Sequence, residues 1–105
     1  MQLLTKELEG RFAQVGSQEE VKDPLVIAKF FDPCGAATWW ATEYDPRERL
    51  FFGFVTLGLG EECDEWGPFS LDELEAVRGP LGLGIERDMY WTERPISKCA
   101  PNAVR

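Results

Sequence analysis

The sequence contains no histidine, and its three cysteines, Cys34, Cys63 and Cys99, stand far apart with no CxxC pair. Histidine is the usual general base and metal ligand near neutral pH, so both roles lose their commonest residue. An odd, scattered set of thiols makes neither a disulfide framework nor a zinc site. No metal and no cofactor is expected. Reactive cysteines sit beside cations, whereas Cys63 stands among acids, so no thiol chemistry is expected either. Glycine-rich phosphate loops are missing too: LGLG at 81–84 is too sparse for a nucleotide fingerprint and reads as a turn. No apolar run approaches the ~20 residues of a membrane span. The opening MQLLTKELEG carries no signal core before a small-residue cleavage site. The expectation is a cytoplasmic protein with no membrane partner and no catalytic residue.

One stretch lacks bases altogether. Residues 61–77, EECDEWGPFSLDELEAV, hold seven of the 19 acids and none of the 11 bases. The seven are Glu61, Glu62, Asp64, Glu65, Asp72, Glu73 and Glu75, and they carry nearly all of the net charge of −8. Such a field repels nucleic acid and attracts basic protein surfaces. Asp72 and Glu73 have a structural reason to be acidic, since a first helical turn favours negative charge. Glu61, Glu62, Asp64 and Glu65 have no such reason, and packed together they repel one another. They form either a solvated face or a docking surface for a basic partner.

At 105 residues the chain is one domain by size, and 44% hydrophobic residues suffice for a single core. Leu4, Leu8, Phe12 and Val15 recur at helical spacing, and Thr5 is placed to cap that helix. LVIAKFF at 25–31, TWWATEYD at 38–45 and LFFGFVTLG at 50–58 read as three strands of an antiparallel meander. Gly53 inside the third marks a bulge or a close backbone approach. FSLDELEAVRGP at 69–80 predicts a short helix over about 71–78. Ser70 and Glu73 form a capping box, and Phe69 and Leu74 a hydrophobic staple. Leu71, Leu74 and Val77 make its buried stripe, and Gly79 supplies a left-handed exit. IERDMYW at 85–91 reads as a last strand, and the polar segment after it wraps over the surface or frays. The fold class expected is α+β: a small antiparallel sheet of three to five strands, an N-terminal helix and a short capped helix.

The order and spacing of LLTKEL (3–8), VKDP (21–24), KFF (29–31), TWWATEYDP (38–46), LFFGFV (50–55), FSLDELEAVRGPLGLGIERD (69–88) and IS (96–97) resemble one family. It is a small bacterial domain family of unknown function, found on plasmids, integrative elements and phages, often near antirestriction and plasmid-maintenance genes. The resemblance covers about residues 1–97, leaving 98–105 as a C-terminal tail. It implies a mobile-element protein with a compact α+β fold and supplies no catalytic residue.

Two other groups of side chains are candidates. Glu43, Asp45, Glu86 and Asp88 lie on or beside predicted strands, where paired carboxylates can do acid–base work. Arg47, Arg49 and Arg87 offer them ordinary ion pairs instead. Trp39, Trp40, Tyr44, Phe51, Phe52 and Phe54 fall on adjacent strands and read first as core, with one sheet face left as a platform for a protein partner. The function expected is non-enzymatic: an anti-defence protein whose acids occupy a basic nucleic-acid-binding groove of a host protein. The alternative is a plasmid or phage maintenance factor acting through its aromatic sheet face.

Overall fold

Thr5 caps the first helix as its position predicts. Its hydroxyl accepts a hydrogen bond from the Leu8 amide at 3.2 Å and starts α1 (Lys6–Val15). Gly16, at φ 70°, ends the helix, its amide donating to the Phe12 carbonyl. The computed structural model describes residues 1–105, apart from the side chain of Pro80.

After α1 come β1 (Leu25–Val26), β2 (Ala28–Phe31), β3 (Thr38–Asp45), β4 (Leu50–Thr56) and β5 (Glu65–Ser70). Then follow α2 (Leu71–Ala76), β6 (Glu86–Arg87) and β7 (Arg94–Pro95). The main sheet is antiparallel, in the order β5-β4-β3-β2-β6, and β1 pairs with β7 in a second, two-stranded sheet. The fold is α+β, with the meander β2-β3-β4 at its centre.

The run LVIAKFF divides between the two sheets at Ile27, whose amide donates to the Ala41 carbonyl. Opposite this break β3 bulges at Thr42. Thr42 is fully buried, its hydroxyl donating to the Phe52 carbonyl at 3.2 Å. Buried Gln18 closes the gap from the other side. Its amide nitrogen donates to the Leu25 and Thr42 carbonyls, and its oxygen accepts from the Leu25 amide at 2.7 Å. A buried amide so fully bonded carries little desolvation cost. Gly53 stands where backbones meet: an added Cβ would collide with the Trp40 carbonyl oxygen.

Strand β5 was not expected, because an acid, a glycine and a proline hide its period in EWGPFS. It is an edge strand, and Pro68 suits that place. Phe52 points its carbonyl at β3, so its partner Pro68 turns its proton-less nitrogen outward. That blocks the edge against further pairing.

Three other expectations are corrected. The third strand stops at Thr56, two residues early. Helix α2 ends at Ala76, Val77 is extended and 39% exposed, and Gly79 has φ −89° rather than a left-handed exit. The Arg78 guanidinium takes over the end of the helix, donating to the Glu75 and Val77 carbonyls at 2.8 and 2.7 Å. The last strand is only Glu86–Arg87. Asp88 then turns the chain, its side chain accepting from the Tyr90 amide and its carbonyl from the Trp91 amide.

Both faces of the main sheet are covered. On one, α1 and α2 bring Phe12, Leu71 and Leu74 onto Phe30, Phe51 and Phe69. Phe51 is the hub, its ring centre 4.8–5.7 Å from those of Tyr44, Phe30, Phe69 and Phe12. On the other, Ile96, Ala100 and Ala103 cover Val26 and Phe54, with Trp40, Trp66 and Trp91 packed around them. Residues 98–105, set apart as a tail in the sequence, are thus part of the packing. The Trp66 indole donates to the Ala103 carbonyl at 2.8 Å, and Arg105 stacks 4.5 Å from the Trp66 ring.

Candidate functional site

The acidic stretch folds into three pieces. Gly60, at φ 111°, opens a 3-10 turn over Glu61–Cys63, closed by the Cys63 and Asp64 amides on the Gly60 and Glu61 carbonyls. Glu65 then enters β5 opposite Val55, and Ser70 leaves it opposite Leu50. Five steps of strand, at ~3.3 Å each, put about 17 Å between these ends. Glu61, Glu62, Asp64 and Glu65 therefore share one end of the sheet, and Asp72 and Glu73 begin α2 at the other.

The two groups differ in what they touch. Arg49 sits between Asp72 and Glu75, at 2.8 and 3.5 Å from their carboxylates. Its backbone is at φ 53°, and its carbonyl accepts the Leu71 amide, which fixes the approach of α2 to the turn before β4. The hydrogen bond to Asp72 raises the pKa of the Arg49 guanidinium. The Ser70 hydroxyl accepts the Glu73 amide at 3.2 Å, one arm of the expected capping box. Asp72 and Glu75 thus pair with Arg49, and Glu73 joins the cap through its backbone amide. Among the described residues no cation lies within ion-pair distance of Glu61, Glu62, Asp64 or Glu65. Glu61, Glu62 and Glu65 are exposed, while Asp64 is half-buried with one carboxylate oxygen, Oδ1, buried and unbonded.

Beside the loop acids lies a hollow of about 320 Å³. Trp39, Val55 and Phe69 floor it, Gly67 leaves its side open, and Leu57, Cys63 and Glu65 form its rim. Neither the hollow nor the part played by Gly67 was legible in the sequence, because strand β5 itself was not. A larger hollow, about 530 Å³, lies between Met1, Leu3, Ile85 and the end of α2.

The strand carboxylates do not converge. Glu86 pairs with Phe31 across β2, while Asp45 pairs with Leu50 at the far end of β3. Asp88 lies 4.0 Å from Lys29. Among the described residues no three acids or cysteines stand close enough to hold a metal ion. Burial raises the Cys99 thiol pKa, against the smaller effect of Arg94 and Lys29. Of the strand aromatics, Phe51 and Phe54 are buried and Trp39, Trp40, Tyr44 and Phe52 half-buried. The second sheet face lies under residues 91–105. No helix among the described residues is long and apolar enough to cross a membrane.

The chain matches a family model described as a protein of unknown function (DUF2958) over residues 3–105. The chain belongs to the DUF2958 family. The match runs past Ser97, so the DUF2958 domain takes in both the acidic loop and the C-terminal segment that covers the second sheet face. No curated protein and no solved structure matches the chain.

Proposed function

We propose that this DUF2958 protein is a non-enzymatic, anti-defence protein of a mobile element. It lays the acids Glu61, Glu62, Asp64 and Glu65 against the basic, nucleic-acid-binding groove of a host protein. One observation carries the reading: these four acids crowd one end of the sheet with no cation within ion-pair distance among the described residues, while Asp72 and Glu75 share Arg49. Uncompensated like charges repel and cost stability, and a partner that brings the opposite sign offsets that cost. Grooves that grip phosphate backbones are lined with Lys and Arg. The mobile-element setting comes from the resemblance of the chain to a family found on plasmids and phages. Asp72 and Glu75 leave the proposed surface, because they pair with Arg49, and Glu73 leaves it because it stands with them at the other end of β5.

The test is a cell with an active restriction or CRISPR system, challenged by phage with and without the protein. Plating efficiency should rise with the wild-type chain. It should fall back when the four loop acids become Gln or Asn in a variant whose circular dichroism is unchanged. An unchanged plating efficiency with the wild-type chain, across restriction and CRISPR hosts alike, removes the anti-defence reading.

A further inference from the structure

The hollow beside the acidic loop has an unusual lining for an exposed place. Trp39 and Val55 are only half-buried, and Leu57 on the rim is 47% exposed. Across the sheet the register sets Ala28, Ala41, Gly53 and Gly67 in one row of small residues. The first three are buried under the helices, and the row emerges at Gly67, where an added Cβ would meet nothing within 4 Å. A trough of about 320 Å³, its lining about equally polar and apolar, with Trp39, Val55 and Phe69 giving the apolar part, is therefore left open at the edge, at the lower limit of ~300 Å³ for ligand pockets. That size suits a large side chain better than a cofactor.

The charges beside it select the occupant. Glu65 stands on the rim, and Glu61 and Glu62 precede the rim residue Cys63 in the same turn. Nucleic acid and anionic lipid are repelled by these carboxylates. A second copy would bring the same acids face to face. Strand addition at β5 is blocked by the outward nitrogen of Pro68. A basic protein segment satisfies both parts of the surface. We propose that the trough receives an apolar anchor, an aromatic or leucine side chain, from a Lys/Arg-rich partner segment, while Glu61, Glu62 and Glu65 pair with the flanking bases. This rests on the docking reading above and adds to it. Acids alone give a fast, salt-sensitive encounter; the anchor gives the complex a slow, salt-resistant dissociation.

Two labelled peptides of equal positive charge test it, one alternating Lys with Phe and the other Lys with Ser, titrated into the full chain by fluorescence anisotropy. The Lys/Phe peptide should bind at least about tenfold more tightly, as burial of one aromatic side chain allows. It should also retain binding at high salt, where the Lys/Ser peptide lets go. Gly67→Val fills the trough with a residue suited to a strand, and should erase the preference while thermal unfolding is unchanged. Leu57→Ser, on the exposed rim, should reduce it without touching the core, and decides the matter if Gly67→Val does not fold. Equal affinity for the two peptides, or a preference that survives both substitutions, overturns the anchor and leaves the acidic surface standing. Failure of both peptides to bind overturns the anchor and the acidic surface together.

Discussion

The two ends of the acidic stretch are alike in composition and opposite in use. At the α2 end, Asp72 and Glu75 share Arg49 and Glu73 lends its amide to the Ser70 cap. At the other end, four acids crowd a 3-10 turn and the start of β5, with no cation within ion-pair distance among the described residues. Net charge counts them equally, but the first group is partly offset by Arg49, whereas none of the second has an ion-pair partner among the described residues. The lesson is that a run of like charge is a surface only after the chain's own counter-ions have been subtracted.

The strongest way to break this comparison is to neutralise each end separately. Glu61→Gln, Glu62→Gln, Asp64→Asn and Glu65→Gln together should weaken binding to the Lys/Phe peptide by about tenfold, from three exposed pairs at ~0.5 kcal/mol each. The salt dependence should shrink with it, since the Debye length is only ~8 Å at physiological ionic strength. Asp72→Asn with Glu75→Gln should change binding less than about threefold by the same reasoning. Equal losses from the two variants would erase the distinction.

Next in size is the cap. Ser70→Ala should lower stability by about 1 kcal/mol, within the usual range of ~0.5–2 kcal/mol, and leave peptide binding unchanged. Equilibrium urea denaturation reads the first and anisotropy the second. A midpoint equal to wild type would detach the α2 end from any structural role. In the other direction, Asp64→Asn should raise stability slightly, because it removes one of four like charges gathered at this end. A loss of stability there would show that the Asp64 carboxylate is bonded in solution. Arg49→Gln should move the denaturation midpoint least, since exposed ion pairs contribute little.

The smallest effect concerns the thiols. Cys63 is exposed on the loop end, whereas burial raises the Cys99 thiol pKa beneath the second face. Because thiolate is the reacting form, iodoacetamide should label Cys63 faster than Cys99 near neutral pH, as followed by mass spectrometry. Labelling at equal rates would mean that the C-terminal segment opens readily.

Much of this was legible before any coordinates. Thr5 and Ser70 announced both helices, because a cap is a local bond between a side chain and an amide three residues on. The meander followed from strand composition, and Gly53 from the expectation of a close backbone approach. The strand EWGPFS was hidden, because an edge strand tolerates residues that a central one rejects. Gln18 bonds across the β3 bulge to the backbone of residues 25 and 42, and no local pattern marks that role. The covering of the second sheet face by Ile96, Ala100 and Ala103 rests on contacts far apart in the chain, with no periodic signal to show them.

By itself the sequence determined the α+β class, the two capped helices, the central strands and the place of the charge, all set by neighbours within a few residues. Tertiary structure alone decided which acids keep their field. Arg49 reaches Asp72 and Glu75 from 23 and 26 residues away, and no local pattern records that encounter. It also decided that a glycine of β5, a strand the sequence concealed, would leave a trough floored by Trp39, Val55 and Phe69 beside the loop acids. Charge and local bonds belong to the chain; pairing and shape arise only where distant segments meet.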